Sequence, residues 1–265
     1  YQSFGKKSEI AGQTNSRVKN VVRAEAYPTL SIDNTGGSRN GWLYLCWAAD
    51  SIPNVYFSRS TDNGQTWTEP SIVHSTTTND QFWPWIAVDP TNGHLAVMYF
   101  DSRDDASNIL VNCYVSFSSD GGTTWVDRRV GDAENDLRKN PFTGNTFAGD
   151  YNGCDFYNGR IYPSWVDMRN VTELNRGDND VYTAHVNVNA PAAPQEFTAS
   201  TIPEEPTAIA LSWSAVTERS FGQPLDPNTT YVLSRQGTQI AELPLTTLSF
   251  KDTGLVKYEE YLYTL

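Results

Sequence analysis

STDNGQTW, residues 60–67, returns as SSDGGTTW at residues 118–125, so the chain spells Ser-x-Asp-x-Gly-x-x-Trp twice. Asp-Asn-Gly and Asp-Gly-Gly favour tight turns, because Gly and Asn tolerate a positive φ. Apolar and polar residues alternate before each copy, which is the period of a β-strand. Each copy, or box, therefore predicts a strand-to-strand turn in which the Asp accepts backbone N–H groups and the Trp acts as an apolar plug. We interpret both boxes as scaffold rather than catalytic motifs; their defining residues are Ser60, Asp62, Gly64, Trp67, Ser118, Asp120, Gly122 and Trp125.

The sequence around the boxes also repeats. Residues 26–50 match residues 82–101, with Tyr27-Pro28 aligned on Trp83-Pro84, and residues 147–167 form a weaker third copy. Each copy reads as a strand, a Gly/Asn turn, a second strand, a polar loop and a third strand; the first two copies continue through a box into a fourth. A four-stranded unit that recurs at roughly 50–65 residues is typical of a β-propeller blade. The sequence therefore predicts an all-β fold.

The two boxes resemble the Asp boxes, or BNR repeats, of sialidase-like β-propellers, and the resemblance covers roughly residues 20–188. Residues 149–170 also resemble the closing region of secreted bacterial BNR-repeat proteins. The resemblance implies a ring of about six blades. Residues 1–188 are then expected to be the C-terminal part of such a propeller, with about three four-stranded blades. The remaining blades are expected from the same chain or from another chain.

A second domain is predicted after the Pro/Ala-rich linker at residues 189–195. Short alternating strands surround Trp213 in residues 196–265, a pattern that resembles a fibronectin type III β-sandwich, an Ig-like fold. Tyr261 is a candidate for the tyrosine corner of that fold. The pattern stops before a last strand, so we expect the sandwich to lack that strand or to borrow one.

Two loops after predicted second strands carry the same Asp-x-Arg spacing. The resemblance implies that sialidase-type catalysis would use arginines for a substrate carboxylate, a Tyr nucleophile with a Glu partner, and an Asp acid/base. The competing interpretation is that each pair pins its own loop, and recurrence at equivalent positions favours pinning, since a catalytic group is needed once. The weak catalytic candidates are Asp101, Arg103, Asp150, Tyr151, Asp167 and Arg169.

We expect no cofactor, with calcium as an open alternative. Clustered carboxylates offer the hard oxygen ligands that Ca²⁺ prefers, although no EF-hand spacing is present. Solvated acidic loops are the favoured interpretation. The weak calcium candidates are Asp101, Asp104, Asp178 and Asp180.

Composition narrows the class of partner. A formal net charge of −12 without a Lys/Arg-rich run argues against nucleic acid and against an anionic membrane surface. The chain has no apolar run of about 18 residues, so no membrane span is predicted. The three cysteines lack metal-ligand spacing and are expected to be buried free thiols.

Two functions remain open. The favoured one is a secreted or cell-surface protein, of bacterial type by its resemblance, whose propeller binds a glycan or an extracellular protein or builds an assembly. The alternative is a sialidase-type exo-glycoside hydrolase whose catalytic residues lie partly in a preceding half. We favour binding, because the boxes are scaffold signals and no complete catalytic set is present in the sequence.

Overall fold

The computed structural model describes residues 17–18, 22–139, 152–172 and 179–265, with side chains from residue 24 onward. The described part is all-β and contains no helix, as the sequence predicts. It forms two compact units that divide between Val188 and Asn189. Near the start of the first unit, β1 (Arg17–Val18) and β2 (Val22–Arg23) form an antiparallel pair.

Two antiparallel four-stranded sheets dominate the first unit, and in both the strands lie side by side in chain order, as in a propeller blade. Sheet 1 contains β3 (Thr29–Ile32), β4 (Leu43–Ala49), β5 (Asn54–Ser60) and β6 (Ser71–Ile72). Sheet 2 contains β7 (Gln81–Val88), β8 (Leu95–Asp101), β9 (Asn112–Ser118) and β10 (Val126–Arg129). The boxes connect the third strand to the fourth in each sheet, where the sequence predicts them.

Sheet 3 differs from the first two. It contains β11 (Gly153–Tyr157), β12 (Arg160–Asp167), β13 (Asp180–Thr183) and β14 (Val186–Asn187). Both β13 and β14 pair with β12, so together they occupy the third-strand position. The described residues of this sheet contain no fourth strand beyond them.

A cross-strand aromatic pair recurs in all three sheets, between the second strand and the third. The rings lie at similar separations, and the pairs occupy directly opposed backbone positions. Such pairs stabilise a sheet from one face. They are Trp47–Tyr56 at 5.9 Å, Tyr99–Tyr114 at 6.3 Å and Trp165–Tyr182 at 6.3 Å.

Each box is held by its own side chains. In the first box, Ser60 Oγ donates to Asp62 Oδ1 at 2.8 Å and accepts the Gly64 N–H at 2.8 Å. Asp62 also accepts the Thr66 backbone N–H at 2.9 Å and hydroxyl at 2.6 Å. These bonds, led by the Thr66 hydroxyl, lower the pKa of Asp62 to about 2. The second box repeats the pattern around Asp120.

The second box also joins sheet 2 to sheet 1. A Cβ on Gly122 would lie 2.3 Å from two ring atoms of Phe57. The lack of a side chain at Gly122 therefore lets the turn pack directly against sheet 1. Trp125 packs edge-on to Phe57 with ring centroids 5.1 Å apart. Arg59 Nη1 donates to the Gly121 carbonyl at 2.6 Å. The box is therefore a turn and an inter-sheet contact at once.

The second unit has two three-stranded sheets, ordered β15-β16-β19 and β18-β17-β20. Buried residues from both sheets form one core around Trp213. The Tyr261 hydroxyl accepts the Val256 N–H at 2.8 Å, which is the kind of bond that a tyrosine corner makes. The fibronectin type III assignment stays a prediction. The strands are β15 (Thr198–Ile202), β16 (Glu205–Ser212), β17 (Thr230–Arg235), β18 (Thr238–Pro244), β19 (Ser249–Thr253) and β20 (Tyr263–Thr264).

Candidate functional site

A cavity of about 360 Å³ opens where β3 and β7 begin. Its walls come from two matching segments of the sequence repeat, joined by one residue from the start of sheet 3. The lining residues are Tyr27, Pro28, Thr29, Leu30, Trp83, Pro84, Trp85, Ile86 and Asn152. The same aromatic-proline corner thus serves the cavity from two neighbouring sheets.

Both corners have an unusual backbone. Tyr27 has a φ of 40° and Trp83 a φ of 54°, and each precedes a proline. Bulky residues rarely adopt positive φ, and a following proline restricts the backbone further. The pairing of β7 with β8 also shifts register between Phe82 and Trp85, so the corner is a bulge in β7. Backbone strain of this kind persists where surrounding packing holds it, and it is common at ligand sites.

Aromatic packing holds the Trp83 corner. The Trp83 ring lies edge-on to Tyr27 at 6.3 Å between centroids. It also contacts Phe82 at 5.7 Å and Phe100 at 5.8 Å. Trp83 is only 2% exposed. The cavity wall is therefore preformed by the sheet 2 core.

Three polar atoms at the cavity have no hydrogen-bond partner among the described residues. They are Nε1 of Trp83 and both amide atoms of Asn152. Asn152 is 7% exposed, so these groups are largely withdrawn from bulk water. Buried polar atoms in native proteins are nearly always paired, with protein, water or ligand. Two residues at the cavity therefore carry polar atoms that are buried behind its surface and have no partner among the described residues.

The predicted Asp101–Arg103 pair forms and recruits a third residue. Asp101 is fully buried and accepts the Arg103 backbone N–H at 2.7 Å and Nε–H at 2.8 Å. Nη1 of Arg103 donates to Asp127 on β10. The guanidinium lies 4.4 Å from the ring centroid of Tyr114. Burial alone would raise the pKa of Asp127, but the Arg103 charge lowers it below the usual range.

Sheet 3 repeats this arrangement. Arg169 donates to Asp167 from Nε at 3.0 Å and from Nη2 at 2.7 Å. Its Nη1 donates to Asp132 at 2.7 Å. The guanidinium lies 4.2 Å from the ring centroid of Tyr182. Each arginine is thus bound to two carboxylates and stacked on the tyrosine of its own third strand.

The Asp/Arg loop of sheet 2 and the cavity lie at the same end of the sheet. Gln81 opens β7, pairs with Asp101 at the end of β8, and donates from Nε2 to Asp101 Oδ1 at 3.2 Å. Trp83 follows two residues later. The second box starts at Ser118, which pairs with Leu95 at the opposite end of β8. The second box therefore lies at one end of sheet 2, and the Trp83 corner of the cavity lies toward the other.

Among the described residues, the remaining site candidates bond to neighbouring side chains and do not gather into a metal site. Asp104 accepts Asn112 Nδ2 at 3.1 Å and the Tyr114 hydroxyl at 2.9 Å. Asp180 accepts Asn170 Nδ2 at 3.2 Å. No group of three or more His, Cys, Asp or Glu side chains in the described ranges could hold a metal ion. Asp150, Tyr151 and Asp178 lie outside the described residues.

The cysteines carry free thiols in buried or half-buried surroundings. Cys46 and Cys113 are buried, Cys154 is half-buried, and all three are free thiols. Burial raises the pKa of the Cys46 thiol to about 12, so it is protonated and unreactive near neutral pH. The described residues contain no apolar helix of membrane-spanning length.

Sequence reasoning missed the cavity as a site. It used Tyr27-Pro28 and Trp83-Pro84 only to align the repeat. The recurring aromatic-proline pair at a strand start was the signal available in the sequence. Asn152 gave none, because Tyr-Asn-Gly resembles an ordinary turn.

Comparison with known proteins finds similarity between this chain and several solved structures. No family model and no curated protein sequence matches the chain. The GH93 α-L-arabinofuranosidase of Fusarium graminearum, in complex with arabinobiose, is 17% identical over 75% of this chain and 59% of its own, with a TM-score of 0.45. The Hadza microbial sialidase Hz136 is 16% identical over 77% of this chain and 46% of its own, with a TM-score of 0.36. The intramolecular trans-sialidase from Ruminococcus gnavus is 18% identical over 69% and 38%, with a TM-score of 0.32. The chain spans less than two thirds of the length of these structures.

Proposed function

We propose that the first unit binds a carbohydrate in the cavity beside Trp83, as part of a secreted or cell-surface protein. The observation that carries this proposal is the pairing of aromatic walls with buried polar atoms that lack a partner among the described residues. A cavity of about 360 Å³ also falls within the range of small-molecule sites, about 300–1,000 Å³.

Sugar rings match this chemistry. A sugar presents apolar C–H faces, which pack on aromatic rings, and hydroxyl groups at its edges, which donate and accept hydrogen bonds. Once a ligand turns these buried side chains toward the cavity, Trp83 Nε1 can donate to one hydroxyl, and the Asn152 amide can both donate and accept. A purely apolar ligand would leave these buried groups unpaired, at a cost of about 1–3 kcal/mol each.

The alternative is the sialidase-type hydrolase that the sequence resemblance implies. None of the described lining residues carries a carboxylate or a guanidinium. The arginines at equivalent loops are each bound to two carboxylates, which favours their proposed role of pinning loops. Binding is therefore the better-supported function, and turnover of a fluorogenic sialoside by the purified chain would favour the alternative.

A glycan array followed by isothermal titration calorimetry tests the proposal. We expect Trp83→Phe to weaken binding up to about tenfold, because it removes one hydrogen-bond donor worth about 0.5–1.5 kcal/mol and keeps an aromatic wall. Asn152→Leu should weaken binding further, since it removes a donor and an acceptor.

Trp213→Phe is the matched control. Trp213 is also buried, and its Nε1 likewise has no partner among the described residues, but it lies in the second unit. It should leave affinity unchanged. Absence of any glycan ligand, or equal affinities for the wild type and both cavity variants, would reject the proposed site.

A further inference from the structure

We infer that the cavity takes a neutral sugar ring and discriminates against sugars that carry a carboxylate. This rests on the proposed carbohydrate-binding function and names the chemical class that the site selects. It also separates the site from that of an enzyme for carboxylated sugars, which needs cationic groups around the carboxylate.

The described walls of the cavity supply no charge. They consist of aromatic, proline, aliphatic, threonine and asparagine side chains. A carboxylate moved from water into such surroundings loses hydration, and it needs a cation or several N–H donors in compensation. Trp83 Nε1 and the Asn152 Nδ2 group are the unpartnered donors among these residues. A neutral hydroxyl loses far less hydration and is satisfied by one or two such bonds.

The arginines at this end of the sheets offer little compensation. Arg103 is bound by Asp101 and Asp127, and Arg169 is bound by Asp167 and Asp132. Each group of one cation and two carboxylates carries a net charge of −1 when ionised. The whole chain is also acidic, with a formal net charge of −12. The field of these groups therefore opposes the approach of an anion.

The donor and acceptor of the Asn152 amide add selectivity. Its Oδ1 is a buried acceptor without a partner among the described residues, so a donor on the ligand would satisfy it. A sugar hydroxyl can donate to Oδ1 and accept from Nδ2 or from Trp83 Nε1. A carboxylate only accepts, so a uronide that places its carboxylate against Oδ1 is repelled there and has to satisfy Oδ1 with a ring hydroxyl instead.

Matched pairs of methyl glycosides and methyl uronides test the inference on the whole chain. The gluco, galacto and manno pairs differ at one carbon, which carries a hydroxymethyl group or a carboxylate; N-acetylneuraminic acid completes the set. We expect a neutral member to bind and its uronide to bind at least about tenfold more weakly in calorimetry. The gap should narrow with added salt, because salt screens charge repulsion.

Leu30 provides a gain-of-binding variant. It lines the cavity and is 58% exposed, so a longer polar side chain can be placed there without disturbing the core. Leu30→Lys should raise the affinity for the uronide several-fold and leave the affinity for its neutral partner nearly unchanged. The uncharged control Leu30→Gln should change neither affinity.

The outcomes separate the two proposals. Equal or tighter binding of a uronide or of N-acetylneuraminic acid by the wild type would overturn the neutral-sugar inference and leave carbohydrate binding in place. Failure of every sugar, neutral and charged, would overturn the carbohydrate function and this inference with it.

Discussion

Gly122 and Gly64 occupy the same position in the two boxes, and replacing each with alanine separates turn chemistry from inter-sheet packing. Their φ angles are nearly equal, at 85° and 82°. A Cβ on Gly64 would meet only a Leu43 methyl at 3.4 Å, which is ordinary contact. A Cβ on Gly122 would lie 2.3 Å from the Phe57 ring.

The structure sets the expected magnitudes. Alanine at a left-handed φ costs about 1–2 kcal/mol, and both variants carry that cost. Gly122→Ala adds overpacking against a ring that is 2% exposed and held by Trp125 and Tyr44. Overpacking of this kind costs about 1–3 kcal/mol. We therefore expect a loss of about 1–2 kcal/mol for Gly64→Ala and about 2–5 kcal/mol for Gly122→Ala.

Urea denaturation followed by tryptophan fluorescence and circular dichroism measures both losses. Gly41→Ala is the open-space control, because Gly41 has a φ of 85° and its added Cβ would meet nothing within 4 Å. It should resemble Gly64→Ala. Equal destabilisation by Gly64→Ala and Gly122→Ala would refute the view that the second box anchors sheet 2 on sheet 1.

Three further predictions concern other parts of the first unit. Asp120→Ala should lower the thermal midpoint more than Asp62→Ala, because the turn around Asp120 also packs against the neighbouring sheet. A larger loss for Asp62→Ala would contradict this explanation. Arg103→Met should lower the free energy of unfolding by about 3–5 kcal/mol in urea denaturation, because it leaves two buried carboxylates without a cation. Arg169→Met should cost less, since one of its carboxylates is 81% exposed. Neither variant should change glycan affinity. Burial lowers the pKa of His74 below 6.5. The contribution of His74 to stability is therefore complete above about pH 6.5 and declines as the pH falls further. Urea midpoints measured from about pH 8 to 5.5 should show this decline, and His74→Gln should reduce it.

The sequence predicted those features of the first unit that depend on short-range chemistry. The boxes need only residues within one turn, so their Ser, Asp and Gly positions specify the hydrogen bonds that form. The sheets were predictable from the alternation of apolar and polar residues and from the sequence repeat, because residues at equivalent repeat positions, such as Tyr99 and Trp165, occupy equivalent strands. The same logic placed Asp101 beside Arg103, since residues two apart in an extended segment share a side.

The cavity could not be predicted in the same way. Its walls join Tyr27, Trp83 and Asn152, which are far apart in sequence and meet only when three sheets lie side by side. The corner at Trp83 depends on a positive φ before proline, which residue preferences argue against. Local rules fail where packing overrides them, and here they fail at the candidate site.

The second carboxylate of each arginine explains how that end of the structure is held in place. Asp101 and Asp167 lie two residues before their arginines in sequence, but Asp127 and Asp132 come from β10 and from the segment that follows it. Arg103 therefore ties the second strand of sheet 2 to its fourth strand. Arg169 ties sheet 3 back to the segment that leaves sheet 2. These ion pairs restrain the loops, and they also occupy the guanidinium groups of both arginines. The contacts that stabilise this end of the sheets therefore leave neither arginine free to bind an anion beside the cavity. In this way the scaffold itself favours the neutral ligand that we propose.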